Sequence, residues 1–218
     1  MCSSDLGNGL RTDVPWYQTI GPSYVAESFR VAHDADPKAL LFLNDFGFEV
    51  DDDFAKAADK RRAMLKLIDN LKRNGVPVHG LGLQAHLSAA TFHTFDPRAY
   101  GRFLSEVADR GLKLMVTELD VLDDGLPPAA GPRDKAVAET YKRYLDAALT
   151  NTDIAAVITF GLSDRYTWLQ EDYPRDDKAP RRPLPFDQNL KPKPALAALQ
   201  GALAAAPRRT LAWTPPRC

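Results

Sequence analysis

The chain has 218 residues, enough for one sizeable core and short for two. Apolar residues make up 44% and charged residues 26%, and a net charge of -1 offers no basic surface to draw nucleic acid or an anionic membrane, so neither is expected as a partner. Two cysteines, Cys2 and Cys218, make no disulfide framework and no CxxC zinc spacing, and no apolar run approaches the roughly 18 residues of a membrane span, so no metal, cofactor or transmembrane segment is expected.

In chain order, residues 1–9 are small and polar, with no basic region followed by an apolar stretch, so no signal peptide is expected in this chain. A helix is predicted over 23–34 and a strand over 39–46. The clearest helix spans 52–74. Asp51, Asp52 and Asp53 supply its cap and an acidic first turn, and Phe54, Ala58, Met64, Leu65, Ile68 and Leu71 form its apolar stripe. Lys72 and Arg73 close it, and Asn74-Gly75 is its stop. A strand follows over 78–86. The next helix, 97–110, starts after Asp96 with proline in its first position. Then come a strand over 113–121, a helix over 133–149, a strand over 156–164 and a helix over 193–206. The tail, 208–218, is proline-rich and basic, and is expected to be loose.

The four strand runs are short and nearly continuously apolar, as in strands buried on both faces. Strand and helix alternate, and successive strands begin about 35 to 43 residues apart, which predicts an α/β fold with a parallel sheet, of the (β/α)8 TIM-barrel kind. A doubly wound sheet shares that alternation, but no Gly-rich turn follows a strand to cradle a phosphate.

Polar residues gather at the C-terminal ends of the runs, the face that carries barrel active sites. Alternation groups Leu40, Phe42 and Asn44; Gly82, Gln84 and His86; and Leu114, Val116, Glu118 and Asp120. Asn44, Gln84, His86, Glu118 and Asp120 are thereby predicted to share one barrel mouth. Taken singly, each is explained by the loop that begins there. Glu118 at the depth of His86 and Gln84 is not, because a buried carboxylate is costly unless paired. His33, His79 and His93 are scattered and read as surface or packing residues.

The motifs GLRTDVPWYQTIG (9–21), LFLNDFGFE (41–49), HGLGLQAHL (79–87), VTELDV (116–121), SDRYTWL (163–169) and PLPFDQNLKPKPA (183–195) occur in this order. Together they resemble glycoside hydrolase family 10, the endo-β-1,4-xylanases, over residues 7 to about 203. The resemblance implies the C-terminal half of that family's barrel, about four strands and their helices. It divides the chain into an unmatched segment 1–6, a partial catalytic domain 7–206 and the tail 207–218.

It also implies hydrolysis of internal β-1,4-xylosidic bonds in xylan by a retaining double displacement. In that pattern Glu118 is the nucleophile, His86 bonds and orients it, and Asp120 supports His86. Asn44 and Gln84 line the site near the cleaved bond, and Trp168 walls the neighbouring sugar. Three departures stand out. Phe160 occupies a position that is usually Trp. Phe46 and Gly47 follow Asn44-Asp45 where Tyr and often Asn are usual. The family's acid/base Glu, in an Asn-Glu motif before the GLR segment, has no counterpart in residues 1–8, so the chain by itself is expected to have little activity. A non-catalytic xylan-binding or degenerate module is the alternative, and a different barrel enzyme using Glu118 as a general base is a third. The expected partner is xylan or a xylo-oligosaccharide. Four strands cannot close a ring built for eight, so self-association through open sheet edges is expected. For a full-length family member, secretion or a periplasmic location is expected.

Overall fold

The computed structural model describes residues 10–51 and 56–209. The expectations for residues 1–9 and Cys2, for the helix-capping Asp52 and Asp53 with Phe54, and for the tail from 210 to Cys218 lie outside these described residues.

The order is α1 (Pro15–Ile20), α2 (Tyr24–Ala35), β1 (Phe42–Asp45), α3 (Ala57–Arg73), β2 (Gly80–Leu83), β3 (His86–Ser88), α4 (Pro97–Ala108), β4 (Lys113–Leu122), α5 (Ala130–Ala148), β5 (Ile154–Thr159), α6 (Leu169–Asp172) and α7 (Pro194–Ala205). All strand pairings are parallel: β1 on β2, β2 and β3 on β4, and β4 on β5. With β2 and β3 taken as two pieces of one strand position, both paired with β4, successive strands are neighbours in space with no reversal of order. A doubly wound sheet reverses direction at its switch point, whereas an arc that always steps the same way is what a barrel wall requires.

Local chemistry places the elements. Asp96 caps α4, its Oδ1 accepting from the backbone N–H groups of Arg98 (2.9 Å) and Ala99 (3.1 Å), with Pro97 in the first turn. At the end of α3 the N–H of Gly75 donates to the Lys72 carbonyl and that of Val76 to the Leu71 carbonyl, closing the helix as the Asn74-Gly75 pair predicts.

Several expectations are corrected. The run at 39–46 is a strand only from Phe42, and Leu40 is 46% exposed. The run at 78–86 divides, because Ala85 takes a left-handed φ of 60° and separates β2 from β3. The run at 156–164 is not buried on both faces: Ile158 is 47% and Phe160 42% exposed, since β5 pairs only with β4 among the described residues. Two helices, α1 and α6, are too short for their periodicity to register in the sequence. The buried stripe of α3 is Ala57, Lys60, Met64, Ile68 and Leu71, so Ala58 faces outward and a lysine takes a core position. That lysine is held 3.2 Å from the buried Asp45 carboxylate, and its ammonium lies 4.2 Å from the Phe46 ring centroid. A charge can be buried there because its partner is buried with it.

Behind the sheet, the core joins aromatic residues of α4 and α5. Tyr100 and Tyr144 share a hydrogen bond of 2.9 Å, and Phe48 stacks on Phe103. The alternating glycines of β2 matter for closeness. A β-carbon at Gly80 would collide with the Phe42 ring and stand 2.6 Å from the Lys113 carbonyl oxygen, and neighbouring backbone cannot retreat. Gly80→Ala is therefore expected to destabilise the fold by about 1–3 kcal/mol, the usual cost of overpacking. A urea-unfolding midpoint equal to that of the unmodified chain would contradict this close packing.

Candidate active site

Glu118 lies where β4 loses its register. From Leu83 to His86 the chain advances three residues, while the paired positions on β4, Val116 and Asp120, are four apart. Against β5 the register also shifts between Val116 and Leu119. The stretch 117–119 is thus a bulge with respect to both neighbours. Burial alternates from Lys113 to Val116 and stops alternating at Thr117 and Glu118. An extra residue in a strand re-aims the side chains around it, and here it brings Thr117 and Glu118 to the same partner, Asn44.

The Glu118 carboxylate is held on both oxygens. Asn44 Nδ2 donates to Oε1 at 2.7 Å, and His86 Nε2 stands 3.3 Å from Oε2. Asn44 is oriented in turn, because Thr117 Oγ1 donates to its Oδ1 at 2.8 Å. That crossing passes over Gly82, where a β-carbon would overlap Asn44 Oδ1 and stand 3.1 Å from the Thr117 methyl. His86 Nδ1 lies 2.8 Å from Asp120 Oδ1, and Trp168 Nε1 donates to the other oxygen, Oδ2, at 2.7 Å. The Asp120 side chain is 1% exposed and those of Glu118 and His86 are 17% and 21% exposed, so the chain of bonds runs from a dry end to a wetter one.

Both ring nitrogens of His86 face carboxylates. A neutral imidazole has one N–H and would turn its lone pair to one of them, whereas the imidazolium donates to both. Burial by itself pushes this imidazole down. The hydrogen bond and charge of Asp120, with those of Glu118, outweigh it and hold the His86 pKa above its ordinary value of 6.5.

Asn44, His86, Glu118, Asp120, Phe160 and Trp168 thus come together. Asn44 and Trp168, expected beside a sugar, are bonded to the carboxylates themselves. Phe160 stands edge-on to His86, with ring centroids 5.3 Å apart, and also meets Trp168 at 6.2 Å. Gln84 is buried beside Ala85, and its N–H donates to the Asp45 carbonyl. Thr117 and Lys60 were missed. Alternation counted from Leu114 and Val116 assigns Thr117 to the opposite face; the register instead sets Met115 beside Gly82 and Asn44, so Thr117 follows on that side, Leu114 and Val116 face the other way, and the bulge brings Glu118 round. Lys60 reads as one more surface lysine on an amphipathic helix. His79 is a packing residue, its Nδ1 accepting from the Leu41 N–H at 2.8 Å, and burial pushes its pKa down. His93 lies outside the site on a short 3-10 turn. Among the described residues no group of three or more His, Cys, Asp or Glu is arranged to hold a metal ion.

Comparison with known proteins places this geometry. Residues 3–202 match the model described as Glycosyl hydrolase family 10. The chain is 32% identical to endo-1,4-beta-xylanase B of Thermotoga neapolitana, covering 88% of this chain and 52% of that protein. It is 33% identical to an endo-1,4-beta-xylanase of Geobacillus stearothermophilus, covering 88% of this chain and 57% of that protein. Xylanase 10B from Thermotoga petrophila RKU-1, solved in complex with xylobiose, superposes with a TM-score of 0.79 at 30% identity, covering 93% of this chain and 57% of that one. The chain spans about half the length of the curated relatives it matches. Its parallel sheet is that of the family's TIM barrel.

Because the folded-state pKa of His86 is raised, the stability it contributes is fully present below the unfolded value near pH ~6.5 and is lost as pH rises through the folded value. The stability advantage of the unmodified chain over a His86→Gln variant is expected to shrink across that window. Urea-unfolding midpoints measured from pH 5 to 9 check this, and an advantage that grows with pH would show that the ring is neutral.

Proposed function

The chain belongs to glycosyl hydrolase family 10, and from that footing we propose that its site hydrolyses internal β-1,4 bonds of xylan by a retaining double displacement, with Glu118 as the nucleophile. The observation that carries the reading is the Glu118 carboxyl group held on one oxygen by Asn44 and on the other by His86, which keeps it aimed. A bound carboxylate in a rigid cradle suits attack on a carbon better than proton transfer through solvent.

In the first step a Glu118 oxygen forms a bond to the anomeric carbon as the glycosidic C–O bond breaks, and the departing oxygen takes a proton from an acid. In the second, water attacks the same carbon, gives its proton to that group as base, and releases Glu118 as a carboxylate. Asn44 and His86 hold the carboxylate before attack and after release. Phe160 and Trp168 offer ring surface to the apolar faces of a bound sugar.

The acid is a separate requirement. The two carboxyls of a retaining pair stand about 5–5.5 Å apart across the substrate. Asp120 is bound on one oxygen by His86 and on the other by Trp168, and Asp45 is buried against Lys60, so neither is placed to protonate a leaving group. The 218 residues alone are therefore expected to cleave xylan about 10²–10⁴-fold more slowly than a barrel supplied with its acid. The assay is reducing-sugar release from xylan, with and without a separately expressed first half of a family 10 barrel. Vigorous activity from this chain alone would overturn the two-carboxyl assignment. In the reconstituted barrel, Glu118→Ala is expected to abolish turnover and spare xylan binding. Binding without any turnover before the mutation favours the second reading, a xylan-binding module, for which the smaller ring of Phe160 is the supporting feature.

The same reading carries self-association. β1 and β5 each have one unpaired side among the described residues, and Ile158, Phe160 and Leu162 lie exposed along the β5 side. Open strand edges beside apolar residues favour pairing with another chain. Sedimentation velocity is expected to show dimers or larger species, and a single monomeric boundary across a wide concentration range would rule this out.

A further inference from the structure

Trp168 meets Asp120 from a short turn that has little intrinsic rigidity. The indole precedes α6, which is four residues long, and an isolated turn of helix does not hold its own position. One residue grips that turn at two points. The backbone N–H of Arg181 donates to the Gln170 side-chain oxygen at 2.8 Å, and Arg181 Nε donates to the Tyr173 carbonyl at 2.5 Å.

The other end of the same guanidinium is anchored to the strand that carries the site. Arg181 Nη1 donates to Asp123 Oδ1 at 3.1 Å, and Asp123 follows directly on β4, three residues beyond Asp120. Asp123 is fixed on its other oxygen by Arg133 of α5, at 2.8 Å, and Arg133 also donates to the Pro180 carbonyl, next to Arg181. Asp123 is fully buried, and Arg133 and Arg181 are 2% and 4% exposed. Two buried cations on one buried carboxylate are an expensive way to tie down a loop, when apolar side chains of similar volume would do it as well or better. What the guanidinium adds is direction, because its planar fork reaches a carboxylate and a carbonyl at fixed angles that a lysine cannot reproduce.

We propose that Arg181 is a positioning residue for the nucleophile: by tying the turn that bears Trp168 to the strand that bears Asp120 and Glu118, it sets the indole on Asp120 and so fixes the grip of Asp120 on His86. Its effect passes through Trp168. The purpose of that positioning rests on the hydrolase reading, while its physical content does not.

The test is a mutant cycle on the full chain, read by the ring resonances of His86 in an NMR pH titration, which requires no turnover. Arg181→Lys keeps the charge beside Asp123 and loses the fork. It is expected to move the His86 titration midpoint on the order of half a pKa unit, as for residues coupled in one bonded network, and to move the indole N–H resonance of Trp168. In a Trp168→Phe background the same substitution is expected to leave the His86 midpoint where Trp168→Phe alone puts it. If Arg181→Lys fails to fold, Gln170→Ala removes one of the two grips at an exposed position and takes its place in the cycle. A lowered melting temperature with His86 and the indole unmoved would reduce Arg181 to a structural staple and overturn the proposal. An equal shift in both backgrounds would overturn it too, since the effect would then bypass Trp168. Failure of the hydrolase reading is recognised separately, by turnover that survives Glu118→Ala in the reconstituted barrel.

Discussion

Two carboxyl groups, two residues apart on one strand and largely out of water, need a polar partner between them. His86 is that partner, and the two acids hold its pKa above the ordinary value. It lies across from Asp120 on the neighbouring strand and reaches Glu118 with its far nitrogen. Each acid gives one oxygen to His86 and the other to a neutral donor, Asn44 on Glu118 and Trp168 on Asp120. Every polar contact of the site follows from the need to satisfy those two acids.

That requirement reaches into the backbone. A regular β4 would not bring Thr117 and Glu118 to a common partner, and the bulge at 117–119 does. A regular partner strand would not pass Ala85 through a left-handed conformation just before His86. Gly82 leaves the space in which Thr117, Asn44 and Glu118 meet. Irregular backbone is costly, and it persists here where surrounding strands over-determine it.

The ion pairs divide by burial. Lys60 with Asp45, and Arg133 and Arg181 with Asp123, lie at the C-terminal end of the sheet and hold two helices and a loop against the strand ends. Removing one member of such a group strands a buried charge, so these are points where the fold is brittle. Pairs such as Lys142 with Asp146 and Lys135 with Glu139 are exposed on a helix face and add little.

Much of this was legible in the sequence. The alternation of short apolar runs with amphipathic stretches determines a parallel α/β sheet, because each pattern can bury its apolar side in only one kind of element. Polar residues at the ends of the runs mark the face of the site, although the period of two fails across Ala85 and across 117–119, so it does not by itself decide which of them meet. The helix caps at Asp96 and at Asn74-Gly75 are local chemistry and are read directly. The tertiary structure alone decided the rest: the bulge under Glu118, the break at Ala85, the bonds from Asn44 and Trp168 to the two acids, the burial of Lys60, and the grip of Arg181 on a turn that has no pattern of its own. These depend on how one strand slides against the next or on which side chains of other elements meet, the bonds from Asn44, Trp168 and Arg181 to the acids spanning between 40 and 75 residues of chain. Periodicity reports which side of an element is dry. It carries no information about which residue of a distant element lies opposite, and a shift of one residue in that register changes every such partner.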